Sequence, residues 1–269
     1  MLAIAVVGSG AQTRAVAAEI AAGAGMVPGE LATAGALVVA GDTSAETLAL
    51  LPEALRAGKP TLCLALPGDL ATLDATVALA ARHGAALSLP NALRYLPATI
   101  ALRETLLSGA AGPLLSAFLA WRTSDEGGDP LATLGPAALD LLGWLLPAPI
   151  VRTQVTSAAL FGATRDTVAL LLRDDTGLVR TVELITGLPP TLEFGHDLLL
   201  EVLGEEAALR AEPFNQAITI ASATARRRQN WGVEMVAPIL ADFVAALRDA
   251  QPLPGPPADL RVTLELLDE

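Results

Sequence analysis

Apolar residues in the first ninety positions fall in short unbroken runs: Leu2-Ala3-Ile4-Ala5-Val6-Val7, Ala36-Leu37-Val38-Val39-Ala40, Thr61 to Leu66 and Ala85 to Leu89. Such runs suit strands buried on both faces, as in a parallel sheet. Between them lie helical stretches. Thr13 to Ala22 is alanine-rich and stops at Gly23 and Gly25. A second helix starts at Ser44, a good N-cap, with Glu46 and Thr47 in its first turn, and runs to Ala57 before Gly58. A third spans Leu70 to His83. Strands alternating with helices predict repeated βαβ units and a parallel, doubly wound sheet.

After a helix at Ala98 to Leu107, the stretch Ser108-Gly109-Ala110-Ala111-Gly112-Pro113 marks a change of pattern. Strands then follow one another: Leu114 to Arg122, Val151 to Leu160, Thr167 to Arg173, Leu178 to Ile185, Leu198 to Leu203, Ala207 to Arg210 and Ala217 to Ala221. Asp174-Asp175-Thr176-Gly177 is a hairpin turn signal. Helices are expected at Pro136 to Leu146 and Val233 to Arg248, with a last one after the stiff Pro252 to Pro257 connector. The expected organisation is an α/β domain over 1–108 and an α+β domain with an open, mostly antiparallel sheet over 109–269.

Charge and composition narrow the partners. Seventeen basic against 29 acidic residues give −12, which argues against nucleic acid and anionic membrane surfaces. No apolar run reaches the ~18 residues of a membrane span. The single cysteine, Cys63, fits a reducing compartment and reads as an inert core thiol. With no basic segment before the first apolar run, no signal peptide is expected, and the expected location is the cytoplasm. Lys59 is the one lysine, and His83 and His196 are the two histidines, so general bases are few. His83 reads as a surface helix end. Arg226-Arg227-Arg228 reads as a solvated or carboxylate-pairing strand edge, and Trp144 and Trp231 as core or interface anchors.

Gly8-Ser9-Gly10-Ala11, after a strand and before a helix, starts a dinucleotide fingerprint, in which glycine lets a pyrophosphate approach the helix N-terminus. Its third position is Thr13, which crowds the helix–strand contact. Across the following ~100 residues, Gly35 to Ala40 through Leu55-Arg56-Ala57-Gly58-Lys59-Pro60-Thr61-Leu62-Cys63 resembles the Gfo/Idh/MocA family of NAD(P)-dependent sugar and polyol oxidoreductases. The resemblance continues through Ala80 to Gly84, Asn91-x-x-Arg94-Tyr95-x-Pro97, Gly127-Gly128, Leu139 to Leu146, Leu200 to Glu205 and Pro257-Ala258-Asp259. It implies a Rossmann-like first domain, with NAD or NADP as the cofactor if one binds.

The departures from that family fall on its chemistry. Leu64-Ala65-Leu66 stands where the family has Glu-Lys-Pro, so Ala65 replaces the catalytic lysine. Thr133 to Ala137 stands where the family has Asp-x-x-x-His, so Ala137 replaces the proton-transfer histidine and Thr133 the aspartate. Asp140 follows one turn later and also reads as a charge at a helix N-terminus. Only 13 residues separate Ala22 from Ala36, against ~16 for an average helix plus strand. The second Rossmann strand, with its ribose-binding acid, is therefore expected to be missing. Asp42 imitates that acid only if Ala36 to Ala40 is itself the second strand.

Two readings follow. In the first, the oxidoreductase fold persists without the chemistry, and the chain acts as a binding or non-catalytic subunit for a small polar ligand. In the alternative, it is an active NAD(P)-dependent oxidoreductase on a sugar- or polyol-like substrate. Asn91, Arg94 and Tyr95 would then contact substrate, with Tyr95, Asp140 or Thr133 handling the proton and Gly8, Ser9, Gly10, Ala11 and Asp42 the cofactor. No metal-ligand spacing, Gly-x-Ser-x-Gly elbow or Walker loop occurs. Val168 to Leu172 is apolar at every position, so both its faces are expected to be buried. Helices at Pro136 and Val233 can cover one side only. A homodimer through the other sheet face is expected, as the family resemblance also implies.

Overall fold

The computed structural model describes residues 1–23, 25–124, 128–162, 165–189, 196–232 and 236–268. Gly127 and Val233, used above, lie outside them. The N-terminal elements are β1 (Leu2–Val7), α1 (Ala11–Ala22), β2 (Met26–Pro28), β3 (Ala36–Val39), α2 (Ser44–Arg56), β4 (Thr61–Cys63), α3 (Leu70–His83) and β5 (Leu87–Ser88). A 3-10 turn (Ala92–Tyr95) precedes α4 (Pro97–Leu107), β6 (Leu114–Thr123), α5 (Pro130–Thr133) and α6 (Gly135–Leu145). Then come β7 (Ile150–Ala158), β8 (Thr167–Asp174), β9 (Val179–Ile185), β10 (His196–Gly204), β11 (Ala207–Glu212), β12 (Ala217–Ser222) and β13 (Arg226–Asn230). Helices α7 (Val236–Arg248) and α8 (Pro257–Asp268) complete the chain.

Two compact units result. One joins Met1–Ala92 to the C-terminal helices; the other runs from Leu93 through β13. Residue 108, the expected boundary, falls inside the second unit.

The first unit is a parallel sheet of order β2-β1-β3-β4-β5. Every residue of β3 and β4 is buried, which is why Ala36 to Val39, Leu62 and Cys63 run apolar without alternation, while the buried Thr61 hydroxyl donates to Lys59 O. Helix α2 is capped by Thr43, one residue before the expected Ser44, in a capping box with Glu46. Asp69 caps α3, and Gly84 ends it in a left-handed conformation.

The second strand is not missing. Met26–Pro28 pairs parallel with β1 on the side opposite β3. Against the six-stranded order 3-2-1-4-5-6, this sheet lacks the outer third strand instead. The gap has no room for a strand plus a helix, as the length predicts, but it does hold the three-residue β2, so the strand–helix unit lost is the third and not the second. Residues 29–35 then lead directly to β3. Gly29 N and Gly35 N donate to Ile4 O (2.9 Å) and Ala3 O (2.8 Å). The Lys59 ammonium donates to Leu31 O (2.7 Å) and Ala32 O (2.9 Å). The one lysine thus fastens the loop that replaces a strand–helix unit.

The C-terminal segment closes over this sheet. Leu89 N donates to Gly255 O at 2.8 Å. A Cβ at Gly255 would lie 2.4 Å from Pro90 Cα, so glycine permits the approach. Helix α7 packs on α1 and α8 on α3. The helix expected to cover the second sheet therefore belongs to the first unit, because its apolar face finds α1.

The second unit holds an eight-stranded sheet of order β13-β12-β11-β10-β6-β9-β8-β7, antiparallel except for β6 with β9. Helices α4, α5 and α6 pack on it, over fully buried Leu119, Val182, Leu184 and Leu198. Strand β8 does alternate: Val168, Leu170 and Leu172 are buried, whereas Leu171 is 45% exposed. Its uniform apolarity hides two different faces. The outer face carries Phe118, Thr181 and Leu171 in one cross-strand row, and exposed Leu203 on β10.

At the β8–β9 turn, Asp174 accepts from Thr176 N (3.0 Å), Thr176 Oγ1 (2.6 Å) and Leu178 N (2.9 Å). Its other oxygen accepts from Arg180 Nη2 at 2.6 Å, with both side chains almost fully buried. Arg180 also donates to Leu146 O and Ala148 O. The turn signal read in the sequence is thus also the anchor of a buried ion pair.

Candidate functional site

The glycine loop is shaped by what its glycines touch. A Cβ on Gly8 would lie 1.8 Å from Ala40 O, so glycine lets the loop abut the end of β3. The Thr13 hydroxyl lies 2.8 Å from both Ser9 O and Ala40 O, whose lone pairs share its one proton. Thr13 therefore pins the helix start to β3 rather than crowding it away.

Gly10 has φ of 96°, and a Cβ there would lie 2.2 Å from Asp42 Oδ2. Asp42 Oδ1 accepts a hydrogen bond from Gln12 N at 2.9 Å. The helix has no side-chain cap of its own; this carboxylate, 30 residues away in sequence, supplies one. The room that Gly10 opens, into which a pyrophosphate would approach, holds a protein carboxylate. As placed, the loop does not fit a dinucleotide phosphate. Asp42 follows β3, on the side of β1 away from β2, and not the strand that carries the ribose-binding acid in the standard order.

Ala65 is buried beyond β4, and its carbonyl accepts from Cys63 Sγ at 3.4 Å. Burial pushes the Cys63 thiol up to about 12, only partly opposed by that hydrogen bond. The thiol stays protonated and unreactive at neutral pH. His83 ends α3.

In the second unit, Arg94 and Asp140 form a bidentate pair. Arg94 Nε donates to Asp140 Oδ2 at 2.8 Å, and Nη2 donates to Oδ1. Asp140 is buried in the middle of α6 and is not an N-terminal charge. Trp144, one turn further on, lies under Arg103 (4.3 Å to the ring centre) and near Arg94 (5.9 Å). This arginine–indole stack could not be read from the separate segments. Tyr95 is half-buried at the end of the 3-10 turn, and Asn91 in the first unit is buried. Thr133 is exposed and donates to Asp129 O at 3.0 Å. Ala137 is half-buried in α6.

An aromatic group at one end of the second sheet escaped the sequence reading. His196 stacks on Phe214 (4.8 Å between centroids), and Trp121 meets Phe214 edge-on (5.9 Å). His196 Nδ1 lies 3.2 Å from Thr123 Oγ1. The only advance signal was the position of Trp121 and His196 near the ends of two apolar strands. Trp231 lies beyond β13, where its N donates to Gln216 O at 2.9 Å. Arg228, from the basic run, donates to Glu212 at 3.3 Å.

Among the described residues, no group of three His, Cys, Asp or Glu side chains could hold a metal ion. Likewise, no helix is long and apolar enough to cross a membrane. No family model and no curated protein matches the chain by sequence. Solved structures do match. Aldose-aldose oxidoreductase from Caulobacter crescentus, complexed with glycerol, aligns with a TM-score of 0.81 at 14% identity, over 99% of this chain and 95% of that one. An oxidoreductase from Agrobacterium radiobacter, in complex with NAD+, L-tartaric acid and magnesium, aligns at 0.77 and 16%, over 99% and 94%. UDP-N-acetylglucosamine 3-dehydrogenase from Acidithiobacillus ferrooxidans aligns at 0.76 and 17%, over 99% and 95%. Across nearly its whole length, this chain has the fold of the Gfo/Idh/MocA-type oxidoreductases.

Proposed function

We propose that this chain binds a small polar ligand on an oxidoreductase fold without carrying out dehydrogenation, as a non-catalytic subunit or a sensor. The observation that carries this reading is the Arg94–Asp140 pair. Asp140 is the carboxylate left near the positions where the family resemblance expects proton-transfer groups. Both its oxygens accept from one guanidinium, which fixes the carboxylate in place. A general base needs a free lone pair aimed at substrate, and this geometry works against that. Ala65, Thr133 and Ala137 place no ionisable group at the three matched positions.

The same reading includes a homodimer through the outer face of the eight-stranded sheet, supported by exposed Leu171 and Leu203 on that face. The small polar ligand is of the polyol or sugar class that the structural relatives' names suggest. Incubation with NAD+ or NADP+ and a panel of polyols and sugars tests the proposal. No reduced nicotinamide is expected to accumulate; sustained formation proportional to protein concentration overturns it.

A further inference from the structure

We infer that Asp42 decides which ligands the glycine loop accepts: its carboxylate takes the place of a phosphate and excludes dinucleotides while it is docked. The proposal deepens the non-catalytic reading. A loop between a strand and a helix binds pyrophosphate because it offers free backbone N–H groups, the positive end of the helix dipole and space over a glycine. Asp42 draws on all three here. Gln12 N donates to it at 2.9 Å. Its negative charge sits at the start of α1. Both carboxylate oxygens lie within 2.5 Å of where a Gly10 Cβ would be. A phosphate arriving there meets an occupied donor, filled space and a like charge.

The backbone around Asp42 is built to hold it. On one side, Gly41 N donates to Thr47 Oγ1 at 2.9 Å. On the other, Thr43 and Glu46 exchange the two capping-box hydrogen bonds, each 3.2 Å. Thr13 ties the end of β3, two residues before Asp42, to the helix start. Swinging the carboxylate away would cost α1 its cap and leave Gln12 N without this acceptor.

The rival account is a plain helix cap with no bearing on ligands, and two variants separate the accounts. Asp42→Asn keeps an oxygen that can accept from Gln12 N and removes the charge; Asp42→Ala removes both acceptor and bulk. Both are compared with the wild-type chain by calorimetric titration with NAD+, NADP+ and inorganic pyrophosphate, after thermal melting confirms a cooperative fold. The wild-type chain is expected to bind these weakest and Asp42→Ala tightest, about tenfold or more apart, with Asp42→Asn between them. If both variants bind no better than the wild type, or none of the three binds, the proposal is overturned. Affinities are read without turnover, so dehydrogenation by the wild-type chain would refute the proposed function and leave this ranking to stand or fall by itself.

Discussion

The guanidinium of Arg94 closes on the carboxylate of Asp140 across 46 residues of sequence, tying the 3-10 turn to the middle of α6. Their side chains are 23% and 8% exposed, so the pair is largely withdrawn from water. Arg94→Ala would leave a buried carboxylate without its guanidinium, at a cost of about 3 kcal/mol. Denaturant unfolding of Arg94→Ala, Asp140→Ala and the double variant checks this. The double variant should be more stable than the sum of the two losses predicts. Strict additivity would show that the pair contributes nothing.

A second pair gives the stability a pH dependence. Burial pushes the Asp174 carboxyl up. Hydrogen bonds from Thr176, Arg180 and Leu178, with the Arg180 charge, outweigh that and hold it below the ordinary carboxylate range. A carboxyl lowered in the folded state stabilises above its unfolded pKa of about 3.9. That stabilisation is lost as pH falls through the folded value. Urea midpoints measured downward from about pH 5 should therefore fall less steeply for Asp174→Asn than for the wild-type chain. Asp174→Ala, which strands the buried Arg180, should cost about 3–5 kcal/mol at neutral pH. Identical acid limbs for wild-type and Asp174→Asn chains would contradict this.

Much of the fold could be read from the sequence, and the misses have physical causes. Val38 and Val39 in an unbroken apolar run marked a strand buried on both faces, and β3 is one. Met26-Val27-Pro28 carries no such signal, because proline and flanking glycines hide a three-residue strand that exists only by pairing with β1. Arg226 to Arg228 reads as a solvated or carboxylate-pairing edge, and β13 is an exposed edge strand paired to β12, with Arg228 reaching Glu212. The site was read less completely. Gly8 and Gly10 stand out in the sequence as a tight strand–helix turn, but the contact between Asp42 and Gln12 depends on how β3 ends beside α1. The Arg94–Asp140 pair likewise depends on tertiary packing, which no local spacing encodes.

The outer sheet face makes a prediction about assembly. Leu171 points away from the helices that cover Leu170 and Leu172 and is 45% exposed in the single chain. Leu171→Arg should weaken a dimer formed through that face and leave the inner core untouched. Light scattering at micromolar concentration should give about twice 27.5 kDa for the wild type and a smaller mass for the variant. A wild-type mass near 27.5 kDa that holds as concentration rises would refute the dimer.

The account stands or falls on whether hydride moves. Losing one proton-transfer group costs about 10²–10⁴-fold in rate, so a slow steady-state signal could escape a simple absorbance assay. The most direct measurement is isotopic: NADH and NADPH carrying deuterium at the transferable position are incubated with stoichiometric protein and a panel of keto-sugars and keto-polyols. Mass spectrometry then reads the products. The account predicts no deuterium in any sugar or polyol above a protein-free control. Deuterium appearing in one of them, at a level that scales with protein, would contradict it.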